Sequence, residues 1–205
     1  MTGIESVTLE TPEPAAVDAF LAAFVPGLPV RTRATDAATT GFRGFTLSLV
    51  VPQPATVDAL IGVALEAGAA ELKAPKKSFW GYGGVVSGPD GTIWTVASSS
   101  KKNRRPKNHQ IDDFVIQLGV EDVAASKRFY VERGLEVAKS YGRKYVQFDS
   151  PPVTLSLYGR RNLAKTAGVS PEGKGSAHLA INSPAGTFTD PDGFTWEAVR
   201  AAAIR

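Results

Sequence analysis

Cysteine is absent from the 205 residues, which excludes disulfides, thiolate metal sites, cysteine nucleophiles and thiol redox chemistry. Histidine is scarce: His109 and His178 are the only two, so an imidazole ligand or general base has two candidates. No apolar run approaches the roughly 18 residues that mark a bilayer-spanning helix. The opening MTGIESVTLE carries an acid and no long apolar stretch, unlike a secretory signal. No G-x-S-x-G is present, so a nucleophile elbow is excluded. Gly81-Tyr82-Gly83-Gly84 does not open a helix and is therefore not a phosphate loop. What remains is an ordinary globular composition, 43% hydrophobic and 21% charged. With no disulfides, the expected compartment is the cytoplasm.

The net charge is +3 and the pI about 9.2. Lys101, Lys102, Arg104, Arg105 and Lys107 alone supply more positive charge than that total, so the rest of the chain is slightly acidic. The basicity belongs to a polar, proline-bearing stretch, residues 98–110, with no helix or strand period. It reads as a solvated linker, giving segments 1–98, 99–110 and 111–205. Neither nucleic acid nor membrane is expected as a partner. A small-molecule ligand is, with the chain as a monomer of two fused lobes or a homodimer.

The two halves repeat. Gly88-Pro89-Asp90-Gly91-Thr92-Ile93-Trp94 answers Asp190-Pro191-Asp192-Gly193-Phe194-Thr195-Trp196, and each is followed by a short strand. Pro-Asp-Gly is turn chemistry: proline presets φ, aspartate bonds its own backbone and glycine accepts positive φ. Trp94 and Trp196 then enter a sheet as buried anchors. The starts match in pattern, since SVTLETPEPAAVDAFLAAF and FVIQLGVEDVAASKRFYVERG are each a strand, a turn and an amphipathic helix. Pro14 suits a helix start and Asp122 an N-cap. Residues 54–67 form a further helix, with Gly68 at its C-terminal cap. Phe45–Val51 and Val153–Tyr158 are strands.

WGYGGVVSGPDGTIWTV (80–96) and AGTFTDPDGFTWEAV (185–199) resemble the closing hairpin of glyoxalase-like modules. VEDVAASKRFYVERGLEVA (120–138) resembles their opening strand and helix, and LYGRRNLAKTAGVSPEG (157–173) a loop and short helix found between modules. The chain thus resembles the vicinal oxygen chelate superfamily, which includes glyoxalases, bleomycin-resistance proteins and dioxygenases. The resemblance implies an α+β fold of tandem βαβββ modules, forming curved mixed sheets around a cavity. Two departures are expected: strands missing between residues 37 and 45, and no helix between Ile181 and Pro184, so the modules are shortened.

The same resemblance implies a divalent metal held by His, Glu or Gln on inward-facing strand positions. Carried over, those positions fall on Ser6, Phe45 and Thr95 in the first half, and on Val115, Ser156, His178 and Glu197 in the second. Only His178 and Glu197 are competent ligands, with Gln117, Asp149 or a partner subunit as completing candidates. An apolar strand more often packs a lone histidine than offers it to a metal, and no metal or other cofactor is expected. No catalytic residue is assigned. The favoured function is a metal-free protein that binds or sequesters a small molecule, as resistance proteins do. Trp80, Tyr82, Tyr141, Tyr145 and Tyr158 are the ligand-binding candidates, because they offer flat apolar area with a polar handle. Arg143-Lys144 and Arg160-Arg161 are possible anion contacts. The alternative is a lyase, isomerase or dioxygenase of the glyoxalase type using Ni, Zn, Mn or Fe. A third reading, ranked below both, is an interaction module using the basic stretch for nucleic acid.

Overall fold

A computed structural model of the protein describes residues 2–104, 106 and 108–199. Arg105 and Lys107 of the basic stretch therefore lie outside the described residues. The chain opens with β1 (Ser6–Thr11), α1 (Pro14–Phe24), β2 (Val30–Ala34) and a short β3 (Thr39–Gly41). A full βαβββ unit follows: β4 (Phe45–Val50), α2 (Pro54–Glu66), β5 (Ala70–Ser78), β6 (Gly81–Ser87) and β7 (Ile93–Ser98). A second full unit contains β8 (Asp113–Val120), α3 (Val123–Glu132), β9 (Glu136–Ser140), β10 (Tyr145–Asp149) and β11 (Thr154–Gly159). The remainder is α4 (Arg160–Ala167), β12 (Gly173–Gly175), β13 (Leu179–Ser183), β14 (Phe188–Thr189) and β15 (Thr195–Ala198).

Local chemistry explains the helix starts. Pro14 and Pro54 occupy first-turn positions, where a missing N–H leaves no bond unmade. The Asp122 carboxylate accepts from the N–H groups of Ala124 and Ala125, which caps α3 as expected. These two bonds hold the Asp122 carboxyl below the usual carboxylate range.

Strand pairing joins the sequence halves. The two complete units meet where β4 pairs antiparallel with β8, giving an eight-stranded sheet ordered β5-β6-β7-β4-β8-β11-β10-β9. The outer pieces meet where β1 pairs antiparallel with β13, giving a five-stranded sheet ordered β14-β15-β13-β1-β2. Residues 1–98 and 111–205 thus each contribute to both sheets. One expected departure is present: β13 runs to β14 with no helix between them. The other is corrected, because residues 37–45 do hold a strand, the short β3, which was hard to foresee because it pairs with the distant β12 outside the main sheets.

The repeated hairpins occupy equivalent places. Trp94 on β7 lies beside Leu47 of the parallel β4, and Trp196 on β15 lies beside Ile181 of the parallel β13. Both indoles are fully buried. Gly91 and Gly193 close the two turns at φ +79° and +90°, where a side chain would be strained. One core spans both sheets: Trp94 touches Phe24 and Phe114, while Trp196 touches Tyr130 and Phe188.

The basic stretch is not a free tether. Asn103 Oδ1 accepts from Ala55 N at 2.8 Å, Gln53 Oε1 from Arg104 N at 2.9 Å, and Asn108 Oδ1 from the Thr56 hydroxyl at 2.8 Å. Side-chain amides thereby fasten it to the start of α2, where the Ala55 N–H lacks an intrahelical partner and is met by Asn103. Among the described residues, no helix is long and apolar enough to cross a membrane.

Truncating either buried indole removes a large packed surface that cannot refill. Trp94→Ala and Trp196→Ala are each expected to lower the unfolding free energy by about 3–5 kcal/mol in urea titrations. A loss below about 1 kcal/mol for either would contradict its place in the shared core.

Candidate functional site

The eight-stranded sheet has two unlike faces. Leu47, Leu49, Trp94, Val96, Ile116, Leu118, Leu155 and Leu157 point into the helix-covered core. Their strand neighbours Thr46, Ser48, Thr95, Gln117, Ser156, Tyr158 and Tyr145 point to the opposite, inner face, as strict alternation requires. Part of that inner face is covered by α4. Leu163, Ala164 and Ala167 pack with Phe42, Val85 and Ile93 into a second apolar cluster. Lys73 on β5 secures the end of the helix, its Nζ donating to the carbonyls of Lys165 at 2.8 Å and Thr166 at 2.5 Å. A lysine at a helix C-terminus also meets the negative end of the dipole.

Beyond α4 the inner face carries a ladder of aromatic rings. Tyr158 and Tyr145, opposite each other on β11 and β10, have ring centroids 4.9 Å apart, and Tyr141 continues the row 5.9 Å from Tyr145. The ladder runs from half-buried Tyr158 to exposed Tyr141. Its inner end is polar: Gln117 Nε2 donates to the Tyr158 hydroxyl at 3.3 Å, and Gln117 Oε1 accepts from Thr46 at 2.8 Å. The Tyr145 hydroxyl donates to Gln147 at 3.0 Å. Burial pushes the phenols of Tyr145 and Tyr158 above their ordinary value of 10.0, so both stay protonated well into the alkaline range. Arg143 and Lys144 stand exposed in the turn beside Tyr141.

Trp80 and Tyr82 sit elsewhere. Trp80 is at the tip of the β5–β6 hairpin and is 84% exposed. Tyr82 donates to Asp58 of α2 at 2.8 Å, which places it on the helix side of the sheet. The five aromatic candidates therefore divide into a three-tyrosine ladder and a separate pair near the opposite sheet edge.

Of the carried-over metal positions, Phe45, Thr95, Val115 and Ser156 fall on the eight-stranded sheet and none is a metal-binding side chain; Ser6 and Glu197 fall on the five-stranded sheet, with His178 just before β13. The polar face of that smaller sheet carries Ser6, Thr8 and Glu10 of β1, Asn182 of β13, Glu197 of β15 and Arg33 of β2. Sequence reasoning missed Arg33, which organises this face. Its guanidinium bonds both Glu197 oxygens at 2.8 and 3.1 Å and Glu10 Oε1 at 2.5 Å. These bonds raise the arginine pKa further and neutralise the carboxylate that a metal would need. Asn182 Oδ1 is taken by the hydroxyls of Ser6 at 3.2 Å and Thr8 at 2.9 Å. His178 is buried, and its Nε2 lies 2.8 Å from the Ala37 carbonyl. Four strand residues, about 13 Å, separate it from Asn182, the residue level with Glu197. Ligand bonds to one ion are only about 2 Å long. Gln117 belongs to the other sheet, and among the described residues no group of three or more His, Cys, Asp or Glu could hold a metal ion. The donor set does not fit a glyoxalase-type metal.

A cavity of about 240 Å³ lies where the two sheets approach under the β3–β12 ribbon, with Glu10, Phe42, Arg160, Lys174 and Thr195 in its wall. The Arg160 side chain is committed to the carbonyls of Pro171 at 3.0 Å and Phe42 at 2.5 Å, and so fastens the ribbon. None of the three tyrosines lines this cavity.

No protein-family model and no curated protein sequence matches the chain. Among solved structures it is similar to glyoxalase I from Zea mays, with 14% identity and a TM-score of 0.63 over 97% of this chain and 92% of that one. It is also similar to a putative dioxygenase from Bacillus subtilis, with 15% identity and a TM-score of 0.55 over 93% of this chain and 71% of that one. At these identities the likeness establishes the fold: the chain has the glyoxalase fold over nearly its whole length.

The raised phenol pKa values have a stability consequence. The folded chain holds those protons more tightly than the unfolded chain, so the contribution is complete below pH 10 and declines as pH rises toward the folded values. Stability is expected to fall between neutral pH and pH 11, and the Tyr145→Phe, Tyr158→Phe double variant should fall less steeply. Parallel curves from urea titrations across that range would contradict the assignment.

Proposed function

We propose that this chain is a metal-free member of the vicinal oxygen chelate superfamily that binds a planar, partly apolar small molecule on the inner face of its eight-stranded sheet. The observation that carries the reading is the Tyr141–Tyr145–Tyr158 ladder ending on Gln117. A graded row of rings gives a flat ligand stacking area at modest entropy loss, since each tyrosine has few rotors to freeze. The amide and phenol at the inner end supply hydrogen bonds that fix its orientation. Both phenols remain neutral across the physiological range, so the ladder itself repels neither anions nor neutral ligands. Arg143 and Lys144 at its outer end favour a ligand bearing a carboxylate or sulfonate there. The poor metal fit supports binding over glyoxalase-type catalysis, because a dication would have to displace Arg33 from Glu197.

Two measurements on the full chain test this. Elemental analysis of protein purified without chelators is expected to show Ni, Zn, Mn and Fe far below one per chain. A stoichiometric metal lost in Glu197→Ala would overturn the metal-free reading. A panel of fused-ring aromatic carboxylates and their neutral amides, followed by calorimetry, is expected to give saturable binders. Tyr145→Ala should weaken them roughly two- to tenfold through lost ring contact. Tyr145→Phe should keep most of the affinity. Saturable binding untouched by Tyr145→Ala would move the site elsewhere.

A further inference from the structure

Folding brings together two features far apart in the sequence, the exposed aromatic tip of the β5–β6 hairpin and the basic stretch after β7. Phe79 and Trp80 are 82% and 84% exposed and pack edge to face with centroids 5.0 Å apart. An aromatic pair so open to water is not core, and it needs a partner to account for it. Gly81 makes the juxtaposition possible: a Cβ there would stand 2.0 Å from the Ser98 carbonyl, so only glycine lets the tip press against the end of β7. The chain leaving β7 consequently starts beside the tip, and Lys101 Nζ lies 5.8 Å from the centre of the Phe79 ring. Lys76 and Lys77 are exposed on the strand leading to Phe79, while Lys102 and Arg104 follow Lys101 toward the N-terminus of α2. Residues 72–81 and 98–110 contain no acidic side chain. Asp58 on α2 is engaged by Tyr82, which donates to it at 2.8 Å.

We propose that this corner is a docking surface for single-stranded nucleic acid, independent of the tyrosine ladder. Bases would stack on Trp80 and Phe79, and the backbone phosphates would follow Lys101, Lys102 and Arg104. Exposed rings next to fixed positive charge are the elements of sequence-tolerant single-strand binding. The backbone of this basic stretch runs from the tip, where Lys101 lies over Phe79, to the start of α2, where Arg104 N donates to Gln53. A bilayer is the poorer fit, because inserting Phe79 would drag the Lys101 ammonium into the apolar layer.

The test uses the full chain and fluorescently labelled oligo(dT) and oligo(U), each longer than the roughly 4–16 nucleotides that a single-strand site covers. Anisotropy titrations at several salt concentrations are expected to show saturable, salt-weakened binding. Phe79→Ala with Trp80→Ala should weaken it roughly five- to a hundredfold. Neutralising Lys101, Lys102 and Arg104 to Gln should reduce the slope of log affinity against log salt by about 2. All these residues are exposed, so circular dichroism and thermal melting should match the parent chain. Equal affinity for the two oligomers supports recognition of the shared backbone and base faces, and preference for one names the source. No saturable binding at low salt overturns the proposal. So does binding indifferent to the aromatic variant, which would be charge attraction alone. Co-sedimentation with anionic phospholipid vesicles that needs Trp80 and is not competed by either oligomer would assign the corner to lipid and overturn it as well. Ligands of the tyrosine ladder should bind all these variants normally, so the two proposals can fail separately.

Discussion

The structure depends on strand pairs that cross between sequence halves: β4 with β8, and β1 with β13. At the first junction, Leu47 faces Ile116 and Thr46 faces Gln117. Alternation then commits the neighbouring strands, with Leu47, Leu49, Leu155, Leu157 and Trp94 toward the helices and Thr46, Gln117, Tyr145 and Tyr158 on the inner face. A slip of one residue would exchange the faces and bury Gln117 among apolar side chains, so the register is strongly held.

Helix α4 decides how much of the inner face is available. Its apolar stripe fills the region over Val85 and Ile93, and Lys73 from the far edge strand holds its last carbonyls. One half of the sheet is closed by the chain's own helix. The other half, past Tyr158, is left with rings and amides facing outward. Because Tyr158 borders the apolar cluster of α4 and also meets the Tyr145 ring edge to face, the helix forms an end wall of the ladder. Movement of α4 would therefore be felt first at Tyr158.

The parts legible in the sequence were those with local causes. The Pro-Asp-Gly turns, the Asp122 cap, the proline starts of two helices and the missing helix after Ile181 each depend on neighbouring residues, and each stands where the pattern placed it. Pairing between distant strands has no local signal. Glu197 and Arg33 are 164 residues apart, and nothing near Arg33 announces that it will share a face with Glu197. The aromatic candidates split for the same reason. Tyr145 and Tyr158 lie opposite each other in one hairpin, so a local pairing brings them together. Whether Tyr82 would look toward the helices or away from them depended on the place of β6 in a sheet not yet assembled. The basic stretch looked solvated because side chains such as Asn103 and Asn108 suit water; only the uncapped start of α2 beside them turns those amides into anchors.

The polar face of the five-stranded sheet is organised around Arg33. A metal centre offers a dense positive charge with open positions for substrate oxygens. Arg33 offers a single delocalised charge whose donors are spent on Glu10 and Glu197, while Asn182 is spent on Ser6 and Thr8. A face whose polar groups are mutually satisfied gains little by meeting a ligand, because each new bond must first break an existing one. The tyrosine ladder has no such prior commitment along its ring faces. The five-stranded sheet ties the first strands of the chain to the last, and under the proposed function recognition is the task of the open half of the eight-stranded one.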